Sequence, residues 1–166
     1  MGGKGPFTHN ARARALTQDT HPPPPPRPPA DDSKSISPLW PFGFGLSYAT
    51  FSYSALAVAG TLSPSTPVSV YATVCNTAGP SGSEVSQLYL GFPAAANEPP
   101  QLLKGFQKTA LEPGECAGVG FPLTADDVKI WDVAAQAWAI VPGTYSVMVG
   151  SGSRDIRLTG SLVVTA

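Results

Sequence analysis

From Phe51 onward the hydrophobic period of this chain is two, and that single repeat rules out most of the architectures open to it. Val68, Val70, Ala72 and Val74 alternate with Ser69, Tyr71, Thr73 and Cys75, the signature of a strand with one face in a core and one in water. That strand is expected to end in the turn-forming stretch 76–82. Similar runs stand at 51–58, 84–92, 102–109, 116–123, 144–150 and 156–164, with turn chemistry at 63–67, 93–100, 112–114 and 142–143. Seven short strands at this spacing predict an all-β, two-sheet sandwich. One helical turn is expected over 124–128, with Thr124 as its cap and Asp126 and Asp127 near its positive end. The stretch 131–140 reads as a small hairpin or turn carrying two tryptophans.

Ahead of the strands lies P-L-W-P-F-G-F-G-L-S-Y-A-T-F, residues 38–51. Trp40, Phe42, Phe44, Tyr48 and Phe51 are too much apolar area to leave wet, and Pro41, Gly43 and Gly45 are too many breakers for a helix. Such a segment should lie extended against a surface, each buried aromatic contributing about 1.5–3 kcal/mol. Two surfaces qualify: the segment's own domain, as a strand lead-in, or a second domain on which Trp40, Phe42, Phe44 and Tyr48 would dock.

Residues 1–36 are of another kind. Five bases stand there against three acids, with seven prolines between Pro22 and Pro29 and almost no large apolar side chains. This composition cannot offset the entropy of ordering, so a disordered tail is expected, locally polyproline II. Proline runs also dock in aromatic grooves of recognition modules, which leaves a small interaction protein as one reading of the chain. No apolar run near the N-terminus has the length of a secretion signal, Pro6 stands where myristoylation needs Ser or Thr, and no later run is long enough for a membrane helix.

Catalysis can be examined by elimination. Both histidines, His9 and His21, fall in the expected tail, leaving the strand-forming part without an imidazole for general base, triad or metal ligand. Carboxylates remain: Glu84, Glu98, Glu112, Glu115, Asp126, Asp127, Asp132 and Asp155. Most fall in turns. Asp155, between Arg154 and Arg157, reads as a structural ion pair, and Asp132 as a turn or capping residue. Glycoside hydrolysis needs two carboxylates placed across a sugar, and no such dyad is expected. No glycine loop precedes a helix to cradle phosphate, and neither a cofactor nor a metal is implied. Residues 36–166 carry five bases against eight acids with no basic stripe, which argues against nucleic acid.

Cys75 and Cys116 each sit on the outward face of an expected strand. If those strands pair antiparallel, the end of one meets the start of the other and a disulfide is possible; the other reading is two free thiols in a reducing compartment. Trp131 and Trp138 also divide two ways. They could stack on the apolar face of a pyranose, or serve in packing, at an end of the sandwich or against another domain.

The segment P-F-G-F-G-L-S-Y-A-T-F resembles the stretch that leads into the C-terminal fibronectin type III-like domain of family 3 glycoside hydrolases, fungal beta-glucosidases in particular. N-T-A-G at 76–79, S-E-V-S-Q-L-Y-L at 83–90, L-K-G-F-Q-K at 103–108, L-E-P-G-E at 111–115, Trp131-Asp132, P-G-T-Y at 142–145 and S-R-D-I-R-L at 153–158 continue the resemblance in order. It implies an immunoglobulin-like sandwich over 52–166, with 37–51 as the segment that docks on catalytic domains. The implied parent enzyme removes terminal glucose from beta-glucosides and is secreted, while its nucleophile and acid/base lie in domains this sequence does not contain. The resemblance therefore implies a non-catalytic fragment, inactive alone. The remaining alternative is an autonomous carbohydrate-binding module.

Overall fold

The computed structural model describes residues 38–166, so the expected tail at 1–36 lies outside the described residues, as do both histidines. The strands are β1 (Thr50–Ala59), β2 (Thr61–Leu62), β3 (Val68–Ala78), β4 (Gly82–Gly91), β5 (Leu102–Leu111), β6 (Cys116–Leu123), β7 (Lys129–Asp132), β8 (Ala137–Ile140), β9 (Gly143–Gly152) and β10 (Asp155–Val164). One helical turn, α1 (Ala125–Val128), links β6 to β7. Three strands form one sheet in the order β1-β3-β6, and five form the other in the order β2-β10-β9-β4-β5. All seven expected strands are present, and the two sheets pack as the sandwich that the alternation predicts. The short β2 escapes sequence reading because two residues show no period; it pairs parallel to the end of β10.

The core follows from the alternation. Val68, Val70, Ala72 and Val74 of β3 and Val119, Phe121 and Leu123 of β6 face Leu88 and Leu90 of β4, Tyr145, Val147 and Val149 of β9, and Leu162 and Val164 of β10. Burying one such Val, Leu or Phe side chain contributes about 1.5–3 kcal/mol. A polar bridge also spans the sandwich: the Tyr53 hydroxyl on β1 donates to Glu84 Oε1 on β4 at 2.6 Å and accepts from Ser86 Oγ at 3.4 Å. Burial first, then the bond to Glu84, pushes the Tyr53 phenol well above its ordinary range.

Three local features shape the ends and edges. At Thr124 the expected start of a helical turn is closed by Asp127, whose carboxylate accepts the Thr124 N–H at 2.7 Å and its hydroxyl at 3.0 Å. Pro122 is tolerated in β6 because β6 is an edge strand, and the Gln107 side chain of β5 accepts the Gly120 N–H at 3.0 Å. The expected turn at 76–82 is shorter than the sequence suggests, since β3 runs on to Ala78. Asn76 is fully buried, and its amide nitrogen donates to the carbonyls of Pro80 at 2.9 Å and Leu111 at 3.3 Å. A residue that reads as turn chemistry instead pins two turns together.

Candidate functional site

The segment 38–48 forms a strap against the outer face of the five-stranded sheet, and the contacts that hold it are polar. Gln87 is their centre. Its side-chain nitrogen donates to the Ser151 carbonyl at 2.6 Å and to the Gly43 carbonyl at 3.4 Å, while its oxygen accepts the buried Tyr89 hydroxyl at 2.6 Å. The Ser153 N–H donates to the Phe42 carbonyl at 2.9 Å, and the Phe44 N–H closes a turn on Pro41 at 3.0 Å. Gly43 has a φ of +80°, which favours glycine, and a Cβ there would stand 2.3 Å from the Gln87 side-chain oxygen, so the Gln87 amide would have to shift. Sequence reading missed Gln87, Tyr89 and Ser153 in this role, because a glutamine on the outward face of a strand gives no signal of what lies over it.

The backbone of the strap is thus fastened while its side chains are not covered. Trp40 is 67% exposed and Tyr48 95%, and Phe42, Phe44 and Leu46 are exposed as well. Trp40 and Phe44 touch each other, ring centres 5.0 Å apart, but neither enters the core. Of the two surfaces open to this segment, its own domain buries only the end of it, at Ala49 and Phe51. Between strap and sheet a cleft of about 410 Å³ lies open, lined by Phe44, Leu46, Ser47, Val85, Gln87 and Ser151 among others.

The other singled-out residues fall elsewhere. Trp131 on β7 and Trp138 on β8 face each other across the hairpin, ring centres 5.6 Å apart and nearly perpendicular. At 47% and 65% exposure they do not close the core. Cys75 and Cys116 are directly opposite in β3 and β6 and are joined by a disulfide. The carboxylates are dispersed in local roles: Asp132 accepts the N–H groups of Ala134 and Ala135, Glu115 that of Glu112, and Asp126 pairs with Lys129. Asp155 takes Arg157 and the Ser151 hydroxyl, and the Arg157 guanidinium holds its carboxyl below the ordinary range. Lys104 lies over the Phe92 ring, and burial lowers the pKa of its ammonium. Among the described residues no three potential ligands converge on a metal position, and no helix is long and apolar enough to cross a membrane.

Comparison with known proteins agrees with this architecture. Residues 84–153 match the model of the fibronectin type III-like domain. The chain is 43% identical over 143 residues to beta-glucosidase cel3A of Pyricularia oryzae and 44% identical over 150 residues to a probable beta-glucosidase L of Emericella nidulans. In each case 80% of this chain is covered, but only 18% and 20% of the relative, so the chain spans about a fifth of their length. Among solved structures it superposes on the beta-D-glucoside glucohydrolase of Trichoderma reesei with a TM-score of 0.76 and 36% identity, covering 82% of this chain and 22% of that one. Beta-glucosidase 3B from Thermotoga neapolitana gives the same TM-score and identity, with 82% and 19% covered. The sandwich thus carries a fibronectin type III-like domain, and it is similar in sequence and fold to about one fifth of each of these beta-glucosidases.

Proposed function

We propose that this chain serves as the non-catalytic C-terminal domain of a secreted family 3 beta-glucosidase and braces its catalytic domains through Trp40, Phe42, Phe44 and Tyr48. The observation that carries the reading is the strap itself: a backbone fastened by Gln87 and Ser153 that holds an unbroken series of large apolar side chains in water. An apolar surface of that kind marks a missing partner. The relatives support the catalytic part of such an enzyme as that partner, since four fifths of their length lies outside the match. The disulfide suits an oxidising compartment, which supports secretion. Hydrolysis of terminal beta-glucosyl residues would be the work of the parent enzyme, with this domain contributing no reacting group.

The test is a chimera in which residues 38–166 replace the matching fifth of the Pyricularia oryzae enzyme. The chimera is expected to hydrolyse a chromogenic beta-glucoside, and Trp40→Ala with Phe44→Ala to shorten its half-life at elevated temperature while KM stays put. Unchanged inactivation in that double variant would overturn the bracing role. The rival reading, carbohydrate stacking on Trp131 and Trp138, rests on their exposure. Their perpendicular rings offer no shared flat platform, which weighs against it.

A further inference from the structure

We infer that the docking surface extends beyond the strap onto the bare half of the five-stranded sheet, with Val85 and Phe106 as its second row, an inference that rests on the bracing role. The outer face of that sheet is unevenly covered. Every residue of β4 from Ser86 to Gly91 is buried, whereas Ser83 and Val85 on the same strand are exposed. Phe106 of β5 stands directly opposite Gln87 in the ladder and is 70% exposed. Gln87 is also the residue that holds Gly43, so the strap and Phe106 flank one side chain.

The cleft of about 410 Å³ lies in this region, with Phe44 and Leu46 of the strap on one wall and Val85 on the other. Phe44, Leu46 and Val85 thereby form one apolar surface lining the recess, with Phe106 next to Gln87 on the neighbouring strand and Lys108, opposite Val85 in the ladder, as a charged rim. The occupant is the catalytic part of the same enzyme. The surface is continuous with the strap, and the four fifths of each relative that lie outside the match are the available mass. A partner that fits presents an apolar ridge to enter the recess and an acidic group beside Lys108.

Hydroxyl-radical footprinting, read residue by residue by mass spectrometry, tests this on the isolated chain and on the chimera. The expected result is a severalfold drop in oxidation of Phe106 and Val85, together with Trp40 and Phe44, on going from chain to chimera. Protection of Trp40 and Phe44 alone would overturn the wider surface and leave the bracing role standing. Equal oxidation everywhere would overturn both. If Phe106 becomes protected in the isolated chain as its concentration rises, a second copy covers the face and the inference fails.

Discussion

Gly43 and Gln87 form the contact on which the strap depends, and two substitutions separate its parts. Alanine at Gly43 would meet the Gln87 amide at 2.3 Å and would have to keep a φ of +80°. The strained conformation alone costs about 1–3 kcal/mol, comparable with what the hydrogen bonds from Gln87 and Ser153 contribute to holding the strap. Gly43→Ala is therefore expected to release residues 38–46 while the sandwich melts where it did before. Limited proteolysis should cut the variant faster within the strap; an unchanged cleavage pattern would show that the strap is held elsewhere. Gln87→Ala differs, because it also removes the hydrogen bond that the buried Tyr89 hydroxyl donates to the Gln87 side chain. It should lower global stability by about 1–3 kcal/mol in urea denaturation. Tyr53 supplies a pH prediction. Burial raises its pKa, so the folded state keeps the phenol proton that the unfolded chain releases. The stability tied to that proton is present below the unfolded value of about 10 and is lost as pH rises beyond it. Stability measured across that range should fall less steeply in Tyr53→Phe than in the parent, and identical slopes would place the alkaline loss elsewhere.

Strands of this fold are legible because each exposes one face, and the period of two survives wherever both faces see different surroundings. β3 shows the rule, with Val68, Val70, Ala72 and Val74 buried along its length. Beyond Ser86, β4 departs from it: both faces are covered, one by the core and one by the strap side, so S-Q-L-Y-L reads as a strand but not as a platform. The pins that hold loops and strap were not legible, since Asn76 and Gln87 act on backbone carbonyls far along the chain, at Leu111 and Ser151. Facing positions of Cys75 and Cys116 could be argued from alternation alone, but whether the thiols are joined could not, because register decides it. The register brings them opposite one another and ties edge strand β6 to β3. The bridge spans 41 residues of sequence, and in the chain-entropy model a loop of that size stabilises by roughly 3–4 kcal/mol. Cys75→Ser with Cys116→Ser should show that loss as a lower urea midpoint with the same far-ultraviolet spectrum. A midpoint unchanged by either substitution or reductant would show that the hydrogen-bonded β3–β6 pair is sufficient.

Among the described residues the exposed tryptophans occupy two ends of the sandwich, and this separation allows the two functional readings to be tested apart. The strap meets β9 at its C-terminal end, where Ser153 holds Phe42. The tryptophan hairpin joins β9 at its N-terminal end, through Ile140 to Gly143. β9 has 10 residues, and strands rise about 3.3 Å per residue, so the ends are roughly 30 Å apart. A single partner seated on the strap has no need to reach the hairpin. The chain holds three tryptophans, Trp40 at the strap and Trp131 and Trp138 at the hairpin, all exposed. Its fluorescence therefore reports these sites with nothing buried to mask them, and Trp40→Phe leaves the hairpin pair alone. Titrating soluble beta-glucan oligosaccharides into that variant is expected to leave the emission unchanged, because perpendicular indoles 5.6 Å apart cannot both lie flat on one sugar chain. Saturable quenching would assign the hairpin to carbohydrate and make this domain a binding module as well as a brace. Quenching seen in the parent but not in Trp40→Phe would instead place a sugar on the strap, where the bracing role requires protein.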